Sequence, residues 1–109
     1  MIFYSLVTPI YNEAGNLARL FAEIDSAMAR TGASWELVCI DDGSTDDSLA
    51  LIREHAARNP QVRYLHFKHN AGQSAALSAG FQAARGEYII TLDSDLQNDP
   101  ADIPKLIVY

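Results

Sequence analysis

The chain has 109 residues, of which 49% are hydrophobic, so it can bury the core of one small domain. Its formal net charge is -6, and its Lys and Arg residues are not clustered, which excludes a basic nucleic-acid-binding arm. A phosphate ligand of so acidic a chain needs a cation, either a nearby Lys or Arg or a metal ion.

The first 30 residues predict a strand followed by a helix. Residues 2–8 are apolar and β-rich, and they stop at Pro9. Residues 13–30 carry apolar side chains at helical spacing, and Gly32 is a typical helix stop. The N-terminal run lacks the basic start and the cleavage site of a signal peptide, and no apolar run reaches the ~20 residues of a membrane span.

The next segment repeats this order. Residues 35–40 predict a second strand, which ends on Asp41-Asp42-Gly43. Ser44 is expected to cap the following helix, with Asp47 three residues later, and Asn59-Pro60 ends it. Cys39, the one cysteine, lies inside the apolar strand and is expected to be a buried core thiol of a cytosolic protein.

The remainder predicts a third strand over 62–67, a turn over 70–73 and a helix over 74–85. Leu77 and Phe81 are its expected apolar anchors. A fourth strand over 87–92 leads into Asp93-Ser94-Asp95, and Asp99 can cap a last helix. Apolar strands joined by helical crossovers predict an α/β fold, a Rossmann-like open parallel sheet with helices on both faces.

Polar residues follow all four predicted strands. In open parallel sheets ligands bind beyond the carboxyl ends of the strands, so these four loops are expected to converge on one crevice. The residues concerned are Pro9, Tyr11, Asn12, Glu13, Asp41, Asp42, Lys68, His69, Asn70, Gly72, Gln73, Asp93, Asp95 and Gln97.

Asp93 and Asp95 stand two positions apart after a buried strand, a spacing that lets both carboxylates face one hard cation such as Mg²⁺ or Mn²⁺. Gln97 offers a third oxygen from the same turn. Loop and helix-capping duty is the alternative for these residues.

The other polar loops have alternatives of the same kind. Asp41 and Asp42 can accept hydrogen bonds from a base or a ribose, or form a turn. Tyr11 can stack on a base, Glu13 can simply start a helix, and Lys68 can touch a phosphate or lie exposed at a strand end.

Four motifs in this order resemble the family 2 glycosyltransferases of GT-A fold. They are Thr8-Pro9-Ile10-Tyr11-Asn12-Glu13, Asp41-Asp42-Gly43-Ser44-Thr45-Asp46, Asn70-Ala71-Gly72-Gln73 and Leu92-Asp93-Ser94-Asp95-Leu96-Gln97. The extension through Asn98-Asp99-Pro100 is similar to the polyprenol-phosphate sugar transferases, such as dolichol-phosphate mannosyltransferase.

The resemblance implies an inverting sugar transfer from a nucleoside-diphosphate donor, with Mg²⁺ or Mn²⁺ on its diphosphate and a polyprenyl phosphate as acceptor. By the same resemblance Pro9, Tyr11 and Glu13 line the nucleotide pocket. Asp42 contacts the base, with Asp41 beside it, and Gln73 borders the donor site. Asp93 faces the ribose or metal, and the metal is bound by Asp95 and Gln97.

Residues 1–109 are expected to be the nucleotide-sugar-binding part of a longer glycosyltransferase domain, inactive without its acceptor half. The whole protein is expected on the cytoplasmic face of a membrane, attached through segments beyond residue 109. Two alternatives stay open: transfer to a growing cell-surface polysaccharide, or a non-catalytic nucleotide-binding fragment that self-associates. The first turn lacks the glycines of a dinucleotide-binding dehydrogenase.

Overall fold

The computed structural model describes residues 1–93, and in this part of the chain strands and helices alternate as the sequence predicts. Short continuous apolar runs favour the central strands, and apolar side chains at helical spacing favour the helices. The elements are β1 (Tyr4–Ile10), α1 (Ala14–Ala29), β2 (Trp35–Asp42), α2 (Ser48–Arg58), β3 (Val62–Phe67), α3 (Gln73–Ala83) and β4 (Tyr88–Thr91).

The four described strands form one parallel sheet in the order β3-β2-β1-β4. The chain adds β2 and β3 on one side of β1 and then crosses back to place β4 on its other side. The strand order therefore reverses next to β1, and ligands of open α/β sheets bind beyond the strand ends at such a reversal.

Helices cover both faces of this sheet, which confirms the predicted fold class. On one face α1 and α2 bury a large apolar cluster that includes Leu6, Leu17 and Ile52. On the other face α3 covers a smaller cluster around Val7, Ile40 and Ala76. Among residues 1–93, no helix has the length and apolar composition needed to cross a bilayer.

Cys39 lies in the larger cluster with none of its surface exposed, as the sequence predicts for a core thiol. Burial raises the pKa of this thiol to about 12. A thiol that stays protonated is a poor nucleophile, so Cys39 is a packing residue.

Strand β1 continues through Pro9 to Ile10, two residues beyond the predicted stop. The carbonyl of Val7 accepts a hydrogen bond from the β4 side, at Leu92 N, so the backbone of Pro9, two residues on, faces that side as well. The pairing of β4 with β1 ends at Thr91 opposite Val7. Pro9 therefore lacks its N–H where no neighbouring strand needs one.

Helix α3 packs through small residues, and the expectation that Phe81 anchors it was wrong. Its buried residues are Ala76 and Gly80, whereas Phe81 is 45% exposed. A Cβ placed on Gly80 would lie 2.3 Å from Cγ1 of Val7. Only glycine allows the helix axis to come so close to the sheet, and this approach leaves the large side chain outside.

A buried ionic network fixes the amino-terminal edge of the sheet. The carboxylate of Glu36, which is 2% exposed, accepts hydrogen bonds from Ser5 Oγ, the backbone N–H of Arg85 and the guanidinium of Arg63. Burial raises the pKa of Glu36, but these hydrogen bonds outweigh that effect and leave it below the ordinary value. The network joins the α3–β4 connection to β1, β2 and β3.

The sequence analysis expected Ser44 to cap α2, and this expectation was wrong. The helix begins four residues later at Ser48, and Asp47 at its N-cap makes no capping hydrogen bond through its side chain. Ser44 Oγ instead accepts the backbone N–H of Asn12 from the β1–α1 loop. The helix predicted after Asp99 lies outside the described residues.

Candidate functional site

A cavity of about 270 Å³ opens at the carboxyl ends of the strands, where the strand order reverses. It is close to the lower limit, roughly 300 Å³, of typical small-molecule pockets. Residues at or just after the carboxyl ends of all four described strands contribute to it. Its described lining residues are Pro9, Ile10, Tyr11, Glu13, Asp42, Asn70, Gly72, Gln73 and Asp93.

Asp42, the last residue of β2, holds the loop between β3 and α3 in place. Its Oδ2 accepts hydrogen bonds from Asn70 Nδ2 at 2.9 Å and from the Gly72 N–H at 3.0 Å. Its Oδ1 accepts the Ala71 N–H at 2.7 Å. A carboxylate offers about four acceptor positions, so one remains for a ligand. Asp42 therefore both shapes the cavity and keeps acceptor capacity toward it.

The glycine after Asp42 lets the β2–α2 loop contact the β3–α3 loop. Gly43 has φ +74°, and a Cβ built on it would lie 2.5 Å from the backbone nitrogen of Asn70 and 2.6 Å from the carbonyl carbon of His69. A side chain at this position would push the β3–α3 loop away. The Asp42-Gly43 pair thus sets the position of Asn70, Gly72 and the start of α3.

Asp41 lies on the opposite face of the sheet, because successive side chains of a strand alternate. It is fully buried, and its Oδ2 lies 2.8 Å from Nδ1 of His66 on β3. It is not among the described residues that line the cavity. Of the two adjacent aspartates, the structure brings only Asp42 into the site.

Tyr11 and Glu13 reach the cavity from the short loop between β1 and α1. Tyr11 is 46% exposed, which leaves its ring accessible for stacking on a ligand. The carboxylate of Glu13 accepts a hydrogen bond of 2.7 Å from Asn16 Nδ2, one turn into α1. This bond orients the carboxylate at the cavity wall.

The described lining is acidic and has no compensating base. It includes the carboxylates of Glu13, Asp42 and Asp93 but no Lys, Arg or His. Lys68, the basic residue considered for a phosphate contact, is not one of these residues. An anionic ligand in this part of the site therefore requires a cation from elsewhere.

Asp93 follows β4 and lines the cavity. Asp95 and Gln97, the other expected metal ligands, lie outside the described residues. Within residues 1–93, no three His, Cys, Asp or Glu side chains are grouped to hold a metal ion. The described chain thus supplies at most one carboxylate, Asp93, of the predicted metal site.

Of the lining residues, Asn70 and Gly72 were expected at the crevice without an assigned role, whereas Ile10 was not expected there. Asn70 and Gly72 stand in a motif that the sequence did single out, and their position after a strand was the available signal. Ile10 carries no polar group, so no chemical feature of this residue indicated its role as an apolar wall.

Comparison with known families and proteins agrees with this geometry. The family model described as glycosyl transferase family 2 matches residues 5–109. A dodecaprenyl-phosphate galacturonate synthase of Rhizobium johnstonii is 43% identical over 104 residues, which are 94% of this chain and 31% of that protein. An undecaprenyl-phosphate 4-deoxy-4-formamido-L-arabinose transferase of Klebsiella pneumoniae is 44% identical over 104 residues, covering 94% and 32%. The chain spans about a third of the length of these relatives.

Solved structures show the same fold. A mannosyltransferase of Pyrobaculum calidifontis, solved with GDP-Man and Mn²⁺, has a TM-score of 0.77 at 23% identity over 91% of this chain and 29% of that chain. TarS of S. aureus, solved with UDP-GlcNAc, has a TM-score of 0.72 at 24% identity over 86% and 27%. With its motifs, its parallel sheet and the match over residues 5–109, the chain belongs to glycosyl transferase family 2 and has the parallel sheet of the GT-A fold.

Proposed function

We propose that this chain forms the donor-binding part of an inverting glycosyltransferase that transfers a sugar from a nucleoside diphosphate to a polyprenyl phosphate. The observation that carries the proposal is the acidic cavity at the strand ends, built from the family's own motifs. The acceptor class is supported by the functions of relatives more than 40% identical to this chain.

The nucleoside is proposed to lie between the loops after β1 and β2. The exposed ring of Tyr11 offers a stacking surface, a contact worth about 1–3 kcal/mol per base in nucleic-acid-binding proteins. The remaining acceptor position of Asp42 can receive an N–H of the base. Pro9 and Gln73 complete the walls on either side. Asp41 contributes indirectly, through the β2 strand that it anchors to His66.

The residues present fit a divalent cation at the diphosphate. Three carboxylates and no base line the described cavity, so a diphosphate there needs a cation of its own. Asp93, Asp95 and Gln97 would hold Mg²⁺ or Mn²⁺, which both prefer oxygen ligands. Such a cation, when bound, stabilises the negative charge of the departing nucleoside diphosphate.

The acceptor supplies its own nucleophile. A phosphate oxygen of the polyprenyl phosphate bonds to the anomeric carbon while the bond from that carbon to the donor diphosphate breaks. A single displacement of this kind inverts the configuration, and an ionised phosphate requires no protein base to remove a proton. The chain's task is therefore to hold and orient the donor. With a lipid acceptor, we place the reaction at the cytoplasmic face of a membrane.

The test is a transfer assay on the complete protein. UDP- and GDP-sugars are supplied separately with undecaprenyl phosphate and Mn²⁺, and the organic phase is analysed for sugar-phosphate lipid and for its anomeric configuration by NMR. We expect one inverted product and its loss in Asp93→Asn, with Asp47→Asn as the matched control on an exposed aspartate. Retained configuration, or transfer only to a polysaccharide, would contradict the proposal.

A further inference from the structure

The loop between β1 and α1 is locked to the loop between β2 and α2 by hydrogen bonds around Asn12. The Asn12 N–H donates to Ser44 Oγ at 3.0 Å. In return, Asn12 Oδ1 accepts the N–H of Thr45 at 2.7 Å and the N–H of Asp46 at 3.3 Å. These contacts therefore satisfy one backbone donor of the β1–α1 loop, through Ser44, and two of the β2–α2 loop, through Asn12 Oδ1.

The start of α1 depends on the same neighbouring loop. Glu13, at its N-cap, makes no capping bond through its side chain. Its backbone N–H donates to Ser48 Oγ at 3.0 Å, and the N–H of Ala14 donates to Asp46 Oδ2 at 3.2 Å. The helix is thus capped by the β2–α2 loop and the first residue of α2, and its position follows that of residues 44–48.

Asn12 also has an uncommon backbone conformation. Its φ of +54° is the one positive value among the described non-glycine residues. Asparagine tolerates this left-handed region better than most residues, and here its side chain is held in place by three hydrogen-bond donors, the two backbone N–H groups and Thr45 Oγ1. The turn at Asn12 separates Tyr11 from Glu13, and both of these residues line the cavity.

We propose that Asn12 is a positioning residue of the donor site: its Oδ1 fixes the left-handed turn that directs Tyr11 and Glu13 to the cavity. Asn12 does not itself line the cavity, so it acts through its two neighbours. The proposal rests on the proposed function only in taking a nucleotide as the ligand. It assigns a role to Ser44-Thr45-Asp46, which the nucleotide contacts leave unexplained.

Two substitutions separate the side chain from the backbone. Asn12→Gly keeps the left-handed conformation accessible and removes the acceptor oxygen. Asn12→Asp keeps an acceptor oxygen in the same place and also tolerates positive φ. Asn59→Gly is the matched control, because Asn59 Nδ2 bonds the His55 carbonyl at the far end of α2, away from the cavity.

The affinity of the complete protein for UDP and GDP is measured with Mn²⁺ for each variant, together with its melting temperature. We expect Asn12→Gly to weaken nucleotide binding about tenfold and Asn12→Asp to restore it to within about threefold of the unsubstituted protein. The melting temperature should fall no further than in Asn59→Gly. Unchanged affinity in Asn12→Gly, or no recovery in Asn12→Asp, would overturn the positioning role.

A second measurement keeps this role separate from the proposed function. If the unsubstituted protein binds neither nucleotide, the proposed function fails, and Asn12 is judged by the fluorine NMR signal of 3-fluorotyrosine at Tyr11, assigned with Tyr11→Phe. We expect a distinct resonance in the unsubstituted protein and in Asn12→Asp, and one averaged toward the free amino acid in Asn12→Gly. An identical Tyr11 resonance in all three proteins would refute the inference.

Discussion

Replacement of Asp42 by asparagine tests the claim that one carboxylate organises the donor site. Asp42 is 3% exposed and accepts three hydrogen bonds from the β3–α3 loop, on both of its oxygens. Asparagine has the same shape but only one acceptor oxygen. In the more favourable orientation of the asparagine amide, its oxygen keeps the hydrogen bonds from Asn70 and Gly72. The NH₂ group of the amide then faces the N–H of Ala71, and the two donors cannot bond to each other.

The magnitude follows from these contacts. One charge-assisted hydrogen bond is lost, which costs about 1.5–3 kcal/mol, and the other two weaken because the acceptor is no longer charged. We therefore expect Asp42→Asn to lower the free energy of unfolding by about 2–4 kcal/mol, out of a total of roughly 5–15 kcal/mol for a typical domain.

Urea denaturation of the complete protein measures this loss, followed by circular dichroism. Asp47→Asn is the control, because Asp47 is exposed at the start of α2 and makes no capping hydrogen bond through its side chain. We expect the control to change the free energy of unfolding by less than about 0.5 kcal/mol. Equal losses of unfolding free energy in the two variants would show that the hydrogen bonds of Asp42 do not stabilise the β3–α3 loop.

Three further predictions concern the core. Gly80→Ala should destabilise the protein by about 1–2 kcal/mol through overpacking, whereas Gly15→Ala, where a Cβ meets nothing within 4 Å, should be neutral or stabilising in the same urea titration. The pKa of Glu36 is lowered on folding. Its contribution to stability is therefore present above the unfolded pKa of about 4.3 and is lost as the pH falls through the folded pKa. Glu36→Gln should remove this part of the pH dependence of the melting temperature. Cys39 should react with a thiol reagent only after unfolding, and rapid labelling of the native protein would contradict its burial.

Much of the fold was predictable because its signals are local. β3 has the predicted bounds, and the alternation of apolar strands and amphipathic helices was enough to predict a parallel sheet with helices on both faces. The strand ends were less predictable. Whether Pro9 can lie inside a strand depends on which neighbour its missing N–H would face, and this is a property of the assembled sheet.

Packing of α3 was not predictable from hydrophobicity. Phe81 is the largest apolar residue of the helix, yet Gly80 lies against Val7 and Ile40. A helix can approach a sheet either on large side chains or on a glycine, and the sequence contains both at adjacent positions. The distance between helix and sheet decides between them, and it is set by tertiary structure.

The location of the site could be predicted from the sequence, but most of its side-chain contacts could not. The carboxyl ends of parallel strands lie at one edge of the sheet, so the residues at or just after these ends meet at one cavity. These residues include Tyr11, Glu13, Asp42, Gln73 and Asp93. Which face of the sheet Asp41 lies on depends on the register of β2, because a shift of one residue moves every side chain to the other face. The interlocked loops around Asn12 join residues more than thirty positions apart, which no local pattern shows.

The central claim, a metal-dependent donor-nucleotide site at the strand ends, is tested most directly by isothermal titration of the complete protein with UDP and with GDP. Each nucleotide is titrated with and without Mn²⁺, and both series are repeated on Asp95→Ala. The account predicts binding of one nucleotide that requires Mn²⁺ and is lost in the variant. Binding that is equally tight without metal, or no binding of either nucleotide to the folded protein, would contradict it.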